Sequence, residues 1–368
     1  MRLERQKDSE KLEQLRPIFP DYVSDYVQLS LDTLTPTTVL SYLLDIADFF
    51  EWMWHSFVPH KKSIKEISLE DLERLIEMDI SHYRAHLKNR KKSHQKGGRF
   101  YKTSNKDVTI SRKISALRNL FEFLTTKINR DTNQPYLSKN ILENTRVTIG
   151  KTTAKARASK LQDSILRTNE LDEFQDFIIT GYGQEDLTTM ERAYWRINRL
   201  RDTAIISLLI CTGLRVGELT GLRLKDLDLE DRKLLVERKR SKEDLVFFPK
   251  QTQDYLGQYL EVRRTFYNAD EKPNSALFVT KYRGNANAIS KNTVQKMVMK
   301  YAKMYGRHLT AHGLRHSFGT FLFKVTKDIR GVQEALGHSS METTQIYTHM
   351  FEEDSRRLID EAFEKKEG

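Results

Sequence analysis

Two arginines, three histidines and a tyrosine between residues 211 and 349 have the types and spacings from which an anion site could be built. The run Cys211-Thr-Gly-Leu-Arg215-Val-Gly-Glu218 places an arginine directly after an apolar stretch that ends at Gly213. A cation is favourable at a helix C-terminus and Glu218 is an (i, i+3) partner, so by itself Arg215 reads as a structural cation. His312-Gly-Leu-Arg315-His316 puts two imidazoles and a guanidinium on one side of a helix, where they can converge on one anion. The histidine pair also has zinc spacing. It lacks the glutamate of a metalloprotease helix, however, and Arg315 within it would repel a cation, so an anion and no metal is expected. Leu336-Gly337-His338-Ser339-Ser340, with Glu342 three residues after Ser339, has the form of a capping box opening a further helix. That helix would carry Thr343 to His349, with Tyr347 among them; an isolated tyrosine is most often a packing residue with a polar tip.

Apolar periodicity places these motifs on elements. Helical patterns run through residues 168–179 and 190–210, and two β-rich runs, Lys233–Glu237 and Leu245–Phe248, flank a polar tip as a hairpin would. Upstream, Thr35 and Pro36 open a helix whose Val39, Leu40, Leu43, Leu44, Ile46, Ala47, Phe50 and Trp54 recur near helical spacing. Ser68 with Asp71 offers a capping-box start for a helix through Leu72, Leu75 and Ile76. Residues 89–106 contain Gly97–Gly98 and almost no aliphatic side chain, and read as a mobile basic loop. The next helix buries Ile110, Ile114, Leu117, Leu120, Phe121 and Leu124, which leaves Arg112, Lys113 and Arg118 facing outward. From Thr145 to Asp163 the chain is polar and basic, the composition of an exposed linker. The expected organisation is therefore a helical domain over residues 1–144, a linker over 145–163 and a second domain over 164–368. The fold class is mainly α with a small β-sheet in the second domain.

Charge narrows the partners. The 368 residues carry a formal net charge of +11. Residues 1–83 are net −7, residues 84–160 hold 20 basic and 4 acidic groups, and residues 161–368 are net +2. So concentrated an excess favours a nucleic acid over a merely solvated face, and Lys88, Arg90, Lys91, Lys92, Arg112, Lys113 and Arg118 are the candidate nucleic-acid contacts. The best candidate for a span, Ala204–Leu214, is too short to cross a bilayer, so no membrane partner is expected. The N-terminus mixes both charge signs without an apolar h-region, and the one cysteine, Cys211, cannot form an internal disulfide. A cytoplasmic protein is expected.

Taken together, the four motifs resemble the tyrosine recombinase (lambda-integrase-like) family, in order and in approximate separation, over residues 165–360. By that resemblance Arg215 matches the first catalytic arginine, His312 and Arg315 the His-x-x-Arg pair, His338 the following histidine and Tyr347 the nucleophile. His316 matches a supporting histidine and Glu218 a structural acid. The family commonly has Gly-Lys-Gly entering the hairpin, where this chain reads Glu237-Arg238-Lys239-Arg240-Ser241-Lys242-Glu243. Lys239 takes the lysine position if the strands align without a gap, and Lys242 is the alternative. Residues 1–144 resemble the family's all-helical core-binding domain, with Thr38 and Tyr42 in its opening helix.

The resemblance implies cleavage and rejoining of double-stranded DNA at a specific site through a 3′-phosphotyrosyl link, with no cofactor. It implies a homotetramer on two DNA sites, an apolar tail (Leu358, Ile359, Ala362, Phe363) docked on a neighbouring subunit, and resolution of chromosome dimers at a dif-like site under an FtsK-type DNA translocase. The chemistry fits the residue types. Guanidinium keeps its charge and grips two phosphate oxygens at once, imidazole accepts a proton near neutral pH, and a phenol becomes a strong nucleophile only as its proton leaves. Other classes compatible with the sequence are a mobile-element integrase, a type IB topoisomerase and a non-catalytic DNA-binding regulator.

Overall fold

The computed structural model describes residues 2–96, 99–143, 145, 162, 164–238 and 242–337. Its chain falls into two compact units, one drawn from residues 2–151 and the other from residues 152–368. No helix among the described residues is long and apolar enough to cross a membrane.

The amino-terminal unit contains helices α1 (Arg2–Leu15), α2 (Asp21–Ser30), α3 (Pro36–Ser56), α4 (Leu69–Glu73), α5 (Glu77–Asn89) and α6 (Asp107–Thr126). Its strands are β1 (Lys92–Lys96), β2 (Arg99–Thr103), β3 (Ile128–Asn129) and β4 (Gln134–Pro135). Helix α3 starts where the Thr35 side chain accepts from the Thr38 amide and Pro36 occupies the first turn, which needs no amide donor. Its buried Leu43, Ile46, Phe49 and Phe50 form one core with Ile114, Leu117, Leu120 and Phe121 of α6. At α4 the Ser68 amide donates to Asp71 (2.7 Å) and the Asp71 amide to Ser68 Oγ (3.3 Å), completing the capping box.

Three expectations are corrected in this unit. The helix expected through Ile76 stops at Glu73: Ile76 is extended, its amide donates to Asp79 at 2.9 Å, and a separate helix begins. The expected loop over 89–106 contains an antiparallel hairpin in which Lys96 pairs with Arg99, the register that a two-residue Gly-Gly connection favours. Lys113 does not face outward. It is buried, and its ammonium lies 3.0 Å from buried Asp45 and 3.1 Å from half-buried Asp48, both on α3. Arg112 joins Asp45, Arg90 joins Asp48 at 2.7 Å, and Arg118 donates to the Thr145 carbonyl. Buried carboxylates require such partners, so Arg90, Arg112 and Lys113 neutralise the unit's own acids. Lys88 and Lys91 remain exposed.

This network makes a prediction. Burial raises the Asp48 carboxyl, but hydrogen bonds from Arg90, Lys113 and Tyr83 outweigh it and hold the group at about 2. Its folded value lies below the unfolded one, so its stabilisation is present above pH ~4 and lost as pH falls through about 2. Acid titration of circular dichroism should show this loss, and Asp48→Asn should reduce it.

The second unit is built around α8 (Thr189–Thr212), with α7 (Glu170–Ile179) before it and the single turn α9 (Val216–Leu219) after it. A Thr188–Glu191 capping box starts α8, and its residues Ala204–Ile210 are buried, as the unbroken apolar run requires. Next come β5 (Leu227–Asp228), β6 (Lys233–Glu237) and β7 (Glu243–Phe247), an antiparallel sheet in the order β5-β6-β7. Leu234, Val236 and Val246 face the core from it, while Leu245 and Phe247 face outward. Helix α10 (Lys250–Tyr267), the hairpin β8 (Val279–Tyr282) and β9 (Asn285–Ala288), and helices α11 (Lys291–Met304), α12 (Ala311–Thr326) and α13 (Ile329–Leu336) follow. The expected β-hairpin is thus present as β6–β7, extended in its sheet by β5, and a second hairpin, β8–β9, lies outside what the sequence suggested.

Candidate active site

Arg215 stands where α8 has just ended. Gly213 closes that helix in the left-handed conformation (φ 61°), and a Cβ there would come within 2.5 Å of Phe318 and 2.8 Å of Leu336, so both backbone and space demand glycine. Two residues later the Arg215 amide donates to Glu218 Oε2 (2.8 Å), its Nη1 to Glu218 Oε1 (2.9 Å) and its Nη2 to the Gly337 carbonyl (3.2 Å). Glu218 is buried, and it fixes both ends of Arg215 while about a third of the arginine side chain stays exposed (32%).

Arg315 reaches the same place from α12. The Thr310 side chain caps that helix by accepting from the Gly313 amide (3.0 Å). Gly313 lets the backbone at Ser164 pass against the helix, since a Cβ would lie 2.2 Å from the Ser164 carbonyl. Ser317 then ties the neighbouring irregular segment down, accepting from the Leu166 amide at 2.8 Å. On the helix so fixed, Arg315 is 2% exposed and donates to the carbonyls of Gly213 and Leu336, the ends of α8 and α13. Helix-terminal carbonyls lack intrahelical donors and carry partial negative charge, so a guanidinium is favourable there.

One turn before Arg315, His312 Nε2 lies 3.0 Å from His316 Nε2, the rings meeting edge to face. One nitrogen must carry a hydrogen and the other a lone pair. Burial, with Arg315 and Arg215 nearby, pushes the His312 imidazole below its ordinary value of 6.5. At neutral pH it is uncharged and able to accept a proton. Single-turnover DNA cleavage is accordingly expected to fall as pH drops through that depressed value, with an acid limb centred below 6.5. His312→Gln should remove the limb; an unchanged limb would assign it to another group.

Of the six residues proposed for chemistry, the structure brings Arg215, His312 and Arg315 together. Lys239, His338 and Tyr347 lie outside the described residues, as do the cap at Ser339 and Glu342, most of residues 145–163 and the tail containing Leu358 and Phe363. The residues adjoining two of them are at the site: Gly337 accepts from Arg215, and Arg238 packs beside Gly337. Lys242 is exposed at the start of β7, and its carbonyl accepts from the Arg238 amide at 2.7 Å. Arg238 and Asp244 were not singled out from the sequence. The signal for Arg238 was only its place in a basic run, and nothing in that run distinguishes an inward arginine from the tip around it.

A helical catalytic unit with a small antiparallel sheet, two arginines converging at neighbouring helix ends and a histidine beside them define a DNA strand-transfer enzyme of the phage integrase class. Residues 185–354 match the phage integrase family. Over 354 residues the chain is 33% identical to the tyrosine recombinase XerS of Streptococcus uberis, covering 95% of this chain and 98% of that protein. It is 34% identical over 356 residues to XerS of Streptococcus agalactiae, with the same coverage. The chain belongs to the tyrosine recombinase family and is a site-specific DNA recombinase. Among solved structures its fold is similar to the XerH recombinase bound to its difH substrate, with TM-score 0.57 and 22% identity over 87% of this chain and 78% of that one. A lambda integrase fragment bound to a core site is similar too, with TM-score 0.55 and 16% identity over 89% of this chain and 94% of that one.

Proposed function

We propose that this chain resolves chromosome dimers at a dif-like site, acting as a homotetramer on two DNA sites under an FtsK-type translocase, with Tyr347 as nucleophile. The observation that carries the chemistry is the convergence of Arg215, His312 and Arg315 at the ends of α8 and α13. Near-full-length similarity to XerS proteins supports the biological role.

In this reading the two guanidiniums bind the non-bridging oxygens of the scissile phosphate and stabilise the charge that accumulates there in the transition state. The Tyr347 oxygen attacks phosphorus as its proton passes to neutral His312. The bond to the 5′ oxygen breaks, that oxygen keeps the electron pair and takes a proton from Lys239, and His338 donates a hydrogen bond to the phosphate. The 3′-phosphotyrosyl link conserves the phosphodiester bond, so rejoining reverses the same steps without ATP. Exposed Lys88 and Lys91 of the helical domain hold the duplex, joined by Lys92; the linker over 145–163 connects this domain, residues 1–144, to the catalytic domain, residues 164–368.

The test is to incubate the protein with fragments of its host's genome, trap covalent complexes and sequence the attached ends. Ends at a single chromosomal site support the proposal. Ends bordering a mobile element would make it an element integrase, and scattered ends a topoisomerase.

A further inference from the structure

Three successive carbonyls end α13, and each accepts from a different arginine: Ala335 from Arg238 Nη2 (3.3 Å), Leu336 from Arg315, and Gly337 from Arg215 Nη2 (3.2 Å). Two of these arginines belong to the motifs above, and the third does not. Arg238 is 8% exposed at the root of the β6–β7 hairpin. Its Nε donates to Asp244 (3.0 Å), its Nη1 to Glu218 Oε2 (3.2 Å), and its backbone amide to the Lys242 carbonyl. All three guanidinium nitrogens therefore donate to protein oxygens, so the side chain is committed inward rather than to DNA. A Cβ on Gly337 would stand only 3.3 Å from that guanidinium, so a glycine there lets the end of α13 lie close against it. Glu218 is the shared element, bound to Arg215 through both oxygens and to Arg238 through one.

We propose that Arg238 is a positioning residue for strand cleavage. It fastens the hairpin, and with it the lysine that protonates the departing 5′ oxygen, to the Glu218–Arg215 pair and to the end of α13. Chain connectivity makes the coupling short, because Lys239 is the next residue and Lys242 supplies the carbonyl that pairs with the Arg238 amide. The inference rests on the reading of a hairpin lysine as general acid. When the P–O5′ bond breaks, the electron pair goes to oxygen, and a displaced ammonium leaves an alkoxide unprotonated.

Replacing the bridging 5′ oxygen with sulfur tests this, since a thiolate departs without being protonated. Single-turnover cleavage of the ordinary and the 5′-bridging phosphorothiolate duplex is measured for the parent chain, Arg238→Ala and Asp244→Ala. The aspartate is partly exposed, so its variant keeps the test valid if Arg238→Ala folds poorly. Arg238→Ala is expected to cleave the ordinary duplex at least ~100-fold more slowly. On the sulfur substrate it should come within roughly threefold of the parent, with a smaller version of the same pattern for Asp244→Ala. Equal defects on both substrates, or an undiminished rate on the ordinary one, overturn the proposal. Lys239→Ala and Lys242→Ala run alongside. Rescue of either by sulfur identifies the acid; rescue of a lysine variant without rescue of Arg238→Ala removes only the role given to Arg238. If neither lysine variant is rescued, the general-acid reading fails and the proposal with it.

Discussion

Tyr347→Phe is expected to bind recombination-site DNA as tightly as the parent chain and to leave no protein attached to it. The substitution keeps the ring and removes only the oxygen proposed to form the bond to phosphorus, and it leaves every charged group of the chain in place. Arg215, Arg315 and His312, the groups proposed to hold the phosphate, are unchanged, but no other group is assigned the attack. On a nicked suicide duplex, where the parent accumulates a covalent complex, the variant should give none above background while its gel shift is unchanged. A persistent adduct would move the nucleophile elsewhere.

Arg315→Lys is expected to reduce cleavage by about 10²–10³, the cost typical of losing one aligned donor to transition-state charge. The native guanidinium reaches the carbonyls of Gly213 and Leu336 from one rigid plane. An ammonium is a compact point charge on a flexible stem and cannot hold two helix ends and grip a phosphate together. Leaving one of those carbonyls without a donor should also cost on the order of 1–3 kcal/mol of stability. Thermal melting separates the effects: cleavage measured where the variant is fully folded must still be reduced. Parental cleavage there would show that Arg315 only braces the fold.

The short motifs were legible because their chemistry is local. Gly213 ends a helix and Arg215 follows; His312, Arg315 and His316 share a helix face; and the structure brings the first arginine and the His-x-x-Arg pair together as separate runs of sequence could not show. What stayed hidden depends on partners far along the chain. Lys113 reads as an outward residue until its partners more than 60 residues earlier are found, Asp45 buried and Asp48 half-buried beside it. Arg238 is one of several basic residues at a hairpin tip until Glu218 and the Ala335 carbonyl draw it inward. The β1–β2 hairpin is hidden in the sequence for another reason: its strands lack the aliphatic alternation that marks a half-buried sheet.

The convergence of distant cations matters only if it serves one phenol. Mass spectrometry of the nuclease-trimmed covalent complex would locate the attached nucleotide directly. A 3′-phosphate on the peptide that contains Tyr347 is the expected result. Attachment at any other residue, or through a 5′-phosphate, would contradict the assignment of that oxygen as the group these arginines and His312 are arranged to assist.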